Sequence, residues 1–241
     1  MVTIEKLIDD ALTPTGNRVR SGKFVPSSFG YCFRSQYWRR KGVEQSNPAD
    51  ARSLRVLHAG RLFHDFVEGL LTKNNHCQTE VRIEESDILG FADLVRDNEV
   101  IDIKSQHSRS FWWMAKKDAD IKKEKYGNWL QVMYYAIQLG KEFGRLIFVS
   151  KDDLCTQEYV QPVKDWTGEV EKEVITLREI WTADVLPAAL PRCEPKTAKK
   201  TGDVTYWQCS YCAYLSLCQK TEAEAGREHV HNAKEVEDVP V

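Results

Sequence analysis

The run V-I-D-I-K-S at positions 100–105 places two charged residues, Asp102 and Lys104, among Val100, Ile101 and Ile103. Those apolar neighbours read as a buried strand, where a carboxylate and an ammonium are costly unless they are put to use. Residues two apart in a strand share a face, so Asp102 and Lys104 present their side chains together. The preceding strand-like run carries Asp93. Between the two runs, Asp97-Asn98 signals a tight hairpin that brings Asp93 toward Asp102. Carboxylates converging to about 4–6 Å repel each other, and a hard divalent cation resolves the repulsion. A lysine beside them can orient or help deprotonate water and stabilise a phosphorane-like charge, so together they supply what phosphodiester hydrolysis needs. A strand-borne Asp/Lys pair is also a common solvent-facing salt bridge, so the pattern needs company.

The rest of the chain supplies some. Short helical periodicity covers residues 3–12, and a stronger helix runs from Ser53 to Lys73 with Leu54, Leu57, Leu62, Phe66 and Leu70 at helical spacing. His64 on that helix can serve as a neutral imidazole ligand, and Glu68, one turn on, as an accessory one. Strands are expected at 78–85, 88–96 and 99–105, then helices at 109–125 and 128–139, the latter closed by Gly140. Gln131 and Tyr135 lie one turn apart on the second of these. Strands at 144–150 and 156–162, a helix at 165–186 and a Pro/Lys-rich linker at 191–203 follow. This order predicts an α/β domain with a mixed central sheet flanked by helices. The polar, acidic residues 221–241 are expected to be disordered.

The net charge of −2 does not announce a nucleic-acid partner; its distribution is more informative, with a solvated basic face over core aromatics as the alternative reading. From Asn17 to Val43 lie Arg18, Arg20, Lys23, Arg34, Arg39, Arg40 and Lys41, with no acid, interleaved with aromatics that include Tyr37 and Trp38. Cations beside stacking rings suit a single-stranded nucleic acid, so Arg34, Trp38, Arg39 and Arg40 are candidate DNA contacts, with Lys196, Lys199 and Lys200 of the linker as possible company. Trp112 and Trp113 are a second candidate stacking pair. A mean hydropathy of −0.49 and the absence of a long apolar run leave no membrane span. The acidic N-terminal MVTIEKLIDDAL does not resemble a secretory signal, so a cytoplasmic location is expected.

Seven cysteines in such a chain point to metal or cofactor ligation rather than disulfides. Cys209, Cys212 and Cys218 form C-x2-C-x5-C and need a fourth ligand, for which Cys32 is the natural candidate. Zinc is the alternative occupant, with His229 or His231 completing its shell. Cys77, Cys155 and Cys193 stand alone in the sequence.

Taken in order, Gly60-x-x-x-His64, Gly90-Phe91-Ala92-Asp93, Ile101-Asp102-Ile103-Lys104 and Gln131-x-x-x-Tyr135 resemble the PD-(D/E)XK nuclease superfamily. More narrowly they resemble the RecB-like iron–sulfur exonucleases, including the CRISPR-associated single-strand exonucleases and their phage relatives. The resemblance implies a restriction-endonuclease-like core with an iron–sulfur clasp joining N- and C-terminal segments. It implies one nuclease domain over 1–220, with its catalytic core at about 53–190 and cluster segments at about 30–42 and 205–220. By that likeness His64, Asp93, Asp102 and the carbonyl of Ile103 hold Mg2+ or Mn2+, Lys104 is the catalytic lysine, and Gln131 and Tyr135 support it. Cys32, Cys209, Cys212 and Cys218 hold a [4Fe–4S] cluster. The second acid is Asp102 where the family more often has Glu, which shortens its reach. The implied activity is metal-dependent DNA exonuclease on single-stranded ends, with endonuclease activity possible, in recombination, repair, replication or spacer acquisition. The setting would be a prokaryotic cell, or a host cell for a phage-encoded protein. No phosphate-loop motif of a helicase is present, so duplex opening needs a helicase, recombination or CRISPR-adaptation partner. A catalytically idle iron–sulfur DNA-binding or assembly module and a restriction-type endonuclease are the alternatives.

Overall fold

The computed structural model describes residues 2–13, 21–73, 77–116, 120–197 and 203–231. Arg18, Arg20, Lys199, Lys200 and the last ten residues of the expected tail lie outside the described residues. The chain divides into two compact units, Met1–Gly30 with Asp50–Ile175, and Tyr31–Ala49 with Thr176–Val241, where a single domain was expected.

In the first unit, α1 (Ile4–Leu12) is followed, after the second unit's α2 (Phe33–Lys41), by α3 (Ala51–Thr72). Strands β1 (Gln78–Glu84), β2 (Leu89–Arg96) and β3 (Glu99–Gln106) come next, then α4 (Ser108–Met114), α5 (Ile121–Glu124) and α6 (Tyr126–Gln138). Strands β4 (Phe143–Ser150) and β5 (Thr156–Pro162) complete a mixed sheet of order β1-β2-β3-β4-β5. Its neighbours are antiparallel except β3 and β4, which run parallel with Asp102 beside Leu146 and Lys104 beside Phe148.

The central strand β3 is covered on both faces, which is why its apolar run is continuous. On one face Ile101 and Ile103 pack with Val67 of α3, Leu94 and Val149. The opposite face, carrying Asp102 and Lys104, meets α6. The hairpin forms at Asp97-Asn98 as the sequence predicts, with Asp97 taking φ 34° and Arg96 opposite Glu99. The expected helix at 109–125 is instead two helices, because Asp120 accepts from the backbone N–H of Lys123 and starts α5 anew.

Helix α3 forms where predicted, capped by Asp50, whose side chain accepts from the Ser53 N–H. Its inward face is not the one that the Leu spacing suggests. Phe63, Val67 and Leu71 turn toward the sheet, while Leu62, Phe66 and Leu70 stay half or more exposed. Two apolar stripes share this helix, and the stripe that meets Ile101 and Ile103 is the one buried.

In the second unit, α2 was not evident from sequence. It ends on Gly42 at φ 73°, a left-handed cap that suits glycine. The helix α7 (Thr167–Ala183) leads in from the first unit; the two-residue strand β6 (Lys196–Thr197) falls in the expected linker and its partner β7 (Val204–Thr205) just past it. α8 (Trp207–Ser210) and α9 (Leu215–Glu224) follow. Structure therefore continues past residue 220, where disorder was expected: Glu222, His229 and His231 are buried. No helix of the described residues is long and apolar enough to cross a membrane.

One close approach locks α6 onto β2. A Cβ on Gly90 would lie 2.5 Å from the Tyr135 hydroxyl oxygen and 2.7 Å from its ring, with Pro26 at 3.0 Å on the other side. Gly90→Ala is therefore expected to destabilise the protein by about 1–3 kcal/mol through overpacking, read as a lower denaturant midpoint.

Candidate metal centre

The antiparallel ladder between β2 and β3 pairs Leu94 with Ile101, Val95 with Val100 and Arg96 with Glu99, and its pairing ends there. The next residues along are Asp93 and Asp102. The Asp93 Oδ2 accepts the Ile103 backbone N–H at 2.8 Å, so a side chain bridges the strands where the ladder stops. Asp102 is 1% exposed. Its Oδ1 accepts from Lys104 Nζ at 2.8 Å, while its Oδ2 is buried without a partner. A buried carboxylate oxygen left bare costs free energy, and the cost signals a missing cationic partner.

Lys104 Nζ also lies 3.5 Å from Gln131 Oε1. Tyr135, one turn along α6, lies near the Gln131 side chain and the Phe91 backbone, which offset part of the effect of its burial. Gln131 thus faces the lysine, and burial keeps the Tyr135 phenol protonated. From α3, His64 Nδ1 approaches Asp93 Oδ2 at 3.6 Å. Gly60, one turn earlier, faces Ser105, whose Oγ a Cβ there would meet at 3.6 Å, an ordinary contact.

Every predicted catalytic and metal residue of the first unit therefore converges: His64, Asp93, Asp102, Ile103, Lys104, Gln131 and Tyr135. The electrostatics agree. Burial pushes Asp102 up to about 6, with Lys104 opposing and Asp93 adding to the rise. Burial likewise raises Asp93, and burial beside Lys104 lowers His64, which favours a neutral, metal-competent imidazole. Glu68 is pushed up to about 7 by burial and by the Asp93, Glu80 and Asp65 carboxylates. One donor atom each from His64, Glu68 and Asp93 fall within 4.8 Å of one another.

Sequence reasoning gave Glu68 only an accessory place and missed Glu80. Glu80 stands in β1 between Thr79 and Val81, which pair with Leu94 and Ala92 on either side of Asp93, and it takes φ 49°. Nothing in T-E-V-R marks that backbone in advance.

In the second unit, Cys209 and Cys218 are buried and Cys32 and Cys212 half-buried. Burial raises the Cys209 thiol to about 12, with Cys32, Cys212, Cys218 and Cys193 adding to the rise, so the four expected ligands are neighbours. Cys193, which stands alone in sequence, is a fifth thiol beside Cys209, and no spacing announced it. A set of buried thiols whose ionised forms repel one another suits a cationic metal centre.

Two of the expected DNA contacts are corrected by their burial. Arg34 is 3% exposed; it donates to Glu222 Oε1 at 2.6 Å, to the Pro187 carbonyl at 2.6 Å and to Cys218 Sγ at 3.4 Å. Trp38 is buried against Tyr214. Arg40 lies over the Trp181 ring at 3.9 Å, while Arg39 remains exposed. Tyr37 and Trp38 build the unit's own core, with Arg34 buried as well, because a small unit needs its large rings inside.

At the level of sequence, no protein-family model and no curated protein matches this chain. Solved structures do. The crystal structure of SSO0001 matches at TM-score 0.51 and 19% identity, covering 89% of this chain and 92% of that one. An alkaline exonuclease from Laribacter hongkongensis matches at TM-score 0.50 and 12% identity, covering 74% and 93%. The fold is shared. At these identities the likeness speaks for the fold alone.

Without divalent cations, Asp102 makes stability depend on pH. Its pKa rises on folding from 3.8 to about 6, so the native state holds a proton that the unfolded state releases, and stability falls as pH rises through that window. Asp102→Asn is expected to raise the melting temperature in chelator at pH 7 by about 3 °C or more, a gain that vanishes near pH 4. Differential scanning calorimetry at the two pH values checks it.

Proposed function

We propose that this protein is a divalent-metal-dependent deoxyribonuclease that hydrolyses phosphodiester bonds, acting on single-stranded DNA ends. The observation that carries the reading is Asp102, buried with one bare oxygen beside Asp93 and held at 2.8 Å by Lys104. Such a costly arrangement is retained where function requires it. The fold shared with an alkaline exonuclease supports the same reading. The location consistent with it is the cytoplasm, and the partner class a helicase, recombination or spacer-acquisition machine.

His64, Asp93, Asp102 and the Ile103 carbonyl would hold Mg2+ or Mn2+, and the bound ion would supply Lewis acidity at the scissile phosphate. The protein's own groups do the rest. Lys104, fixed between Asp102 and Gln131, orients the attacking water and neutralises charge developing on the phosphate oxygens. Gln131 restrains the lysine, with Tyr135 one turn along the same helix as a supporting group, so that little reorganisation is left for the reaction itself.

In the second unit, Cys32, Cys209, Cys212 and Cys218 are assigned to a [4Fe–4S] cluster. A zinc ion bound by thiolates at 2.3 Å needs sulfurs about 3.8 Å apart. Among the described residues no three of these sulfurs come within 4.8 Å of one another, which favours the wider cluster. The group would hold the two chain segments of that unit together.

Anaerobically purified protein in Mn2+ is expected to degrade linear single strands and to spare circular ones. Lys104→Ala should lower the rate about 100-fold or more. Undiminished cleavage by that variant, or none by the wild type under any divalent metal, sinks the enzyme reading and leaves a binding or assembly module. Iron and sulfide analysis, with the visible charge-transfer band, is expected to give one [4Fe–4S] cluster per chain, lost in Cys212→Ala. Stoichiometric zinc without iron overturns the cluster.

A further inference from the structure

Lys125 is a cation that the fold half buries and does not pair. It stands at the junction of α5 and α6, with its ammonium 5.4 Å from the centre of the Phe148 ring. Among the described residues it makes no ion pair. Burial holds it below the usual lysine range, opposed only by its sequence neighbour Glu124, which is exposed. Phe148 itself is 1% exposed. A ring face beneath the ammonium recovers part of the cost of burying it, and the rest is unmet.

The position of that ring gives the cation a setting. Strands β3 and β4 run parallel with Lys104 beside Phe148, so the two side chains share the face of the sheet that carries Asp102. Neighbouring strands lie about 4.8 Å apart, which puts the ring under Lys125 next to the lysine that holds Asp102. Along α6, Gln131 lies about 9 Å beyond Lys125 at about 1.5 Å per residue, and it faces the same Lys104. Two ammonium groups therefore serve one face of the sheet. The Lys104 group is taken up by Asp102 and Gln131; the Lys125 group has no carboxylate. Lys122 and Lys123, exposed on α5, add positive charge beside it.

We infer that Lys125 binds a phosphodiester of the substrate strand next to the one that is cut. The inference rests on the nuclease reading and names a contact within it. A phosphate oxygen supplies the anion that the ammonium lacks, and lysine meets it as a compact point charge. Such a contact fixes the register of the strand on the catalytic groups without reading its bases. A lysine that merely covers Phe148 with its apolar stem does neither.

Binding of a labelled linear single strand to the full chain, followed by fluorescence anisotropy without divalent metal over a salt series, tests the contact. Lys125→Gln is expected to weaken binding about 10-fold whatever the sequence. It should also make the fall of log K with log salt shallower by about 0.7. Lys125→Met, which keeps the apolar stem over Phe148, is expected to behave in the same way, and Lys125→Arg to restore both quantities. In Mn2+ the loss should fall on KM rather than kcat. A single neutral methylphosphonate, moved linkage by linkage along the strand, should weaken wild type beside the cut and cost Lys125→Met nothing there. Circular dichroism matched to wild type confirms that each variant is folded. A salt slope unchanged in folded Lys125→Met, or a methylphosphonate penalty retained in it, overturns the contact and leaves the nuclease standing. A wild type that neither binds nor cleaves single strands under any divalent metal removes the nuclease reading and the contact together.

Discussion

The burial of Asp102 is the constraint around which the first unit is arranged. A carboxylate that is 1% exposed, with one oxygen paired to Lys104 and the other bare, is tolerated only in a setting built to hold it. The central position of β3 follows from the apolar residues around it, which are covered by α3 on one face and α6 on the other. The same two helices deliver His64 and Gln131 to the charged pair. A glycine sits where approach is closest, with Gly90 under Tyr135. The sheet yields at one point, where the β2–β3 ladder stops and the Asp93 side chain takes the Ile103 N–H that bridges the gap.

Much of this was legible in the residues. Strand alternation, the Asp97-Asn98 turn and the Gln131–Tyr135 spacing are local signals, and local signals survived folding. What failed depended on choices between equals. Helix α3 carries two apolar stripes, and only the positions of Ile101 and Ile103 select Phe63, Val67 and Leu71 over Leu62, Phe66 and Leu70. Arg34 and Trp38 look like a nucleic-acid surface because composition cannot say that Glu222, far along the chain, will meet that guanidinium. Cys193 has no partner within reach of any motif, yet long-range folding brings it beside Cys209.

The second unit handles charge differently from the first. Arg34, Glu222 and Arg227 satisfy one another, and Glu222 is held down at about 2 by Arg227 and Arg34 against the opposing effect of burial. Removing one partner would strand a buried charge, so the network fixes geometry more than it adds net stability. Since Arg34 also donates to Cys218 Sγ, that geometry includes a thiol. Cys218 is thus held by the same network that fixes Arg34 and Glu222.

The carboxylate cluster of the first unit is, by contrast, left unbalanced. Asp102 near 6 and Glu68 near 7 retain protons that a carboxylate in water would have lost. A cation bound there would have to displace protons, so its binding would weaken as the solution becomes more acidic. The protons are held because burial and like charge make the bare anions unfavourable, and that same strain would favour a cation. Replacing either carboxylate by an amide relieves the strain and abolishes the attraction together, which separates stability from function at a single residue.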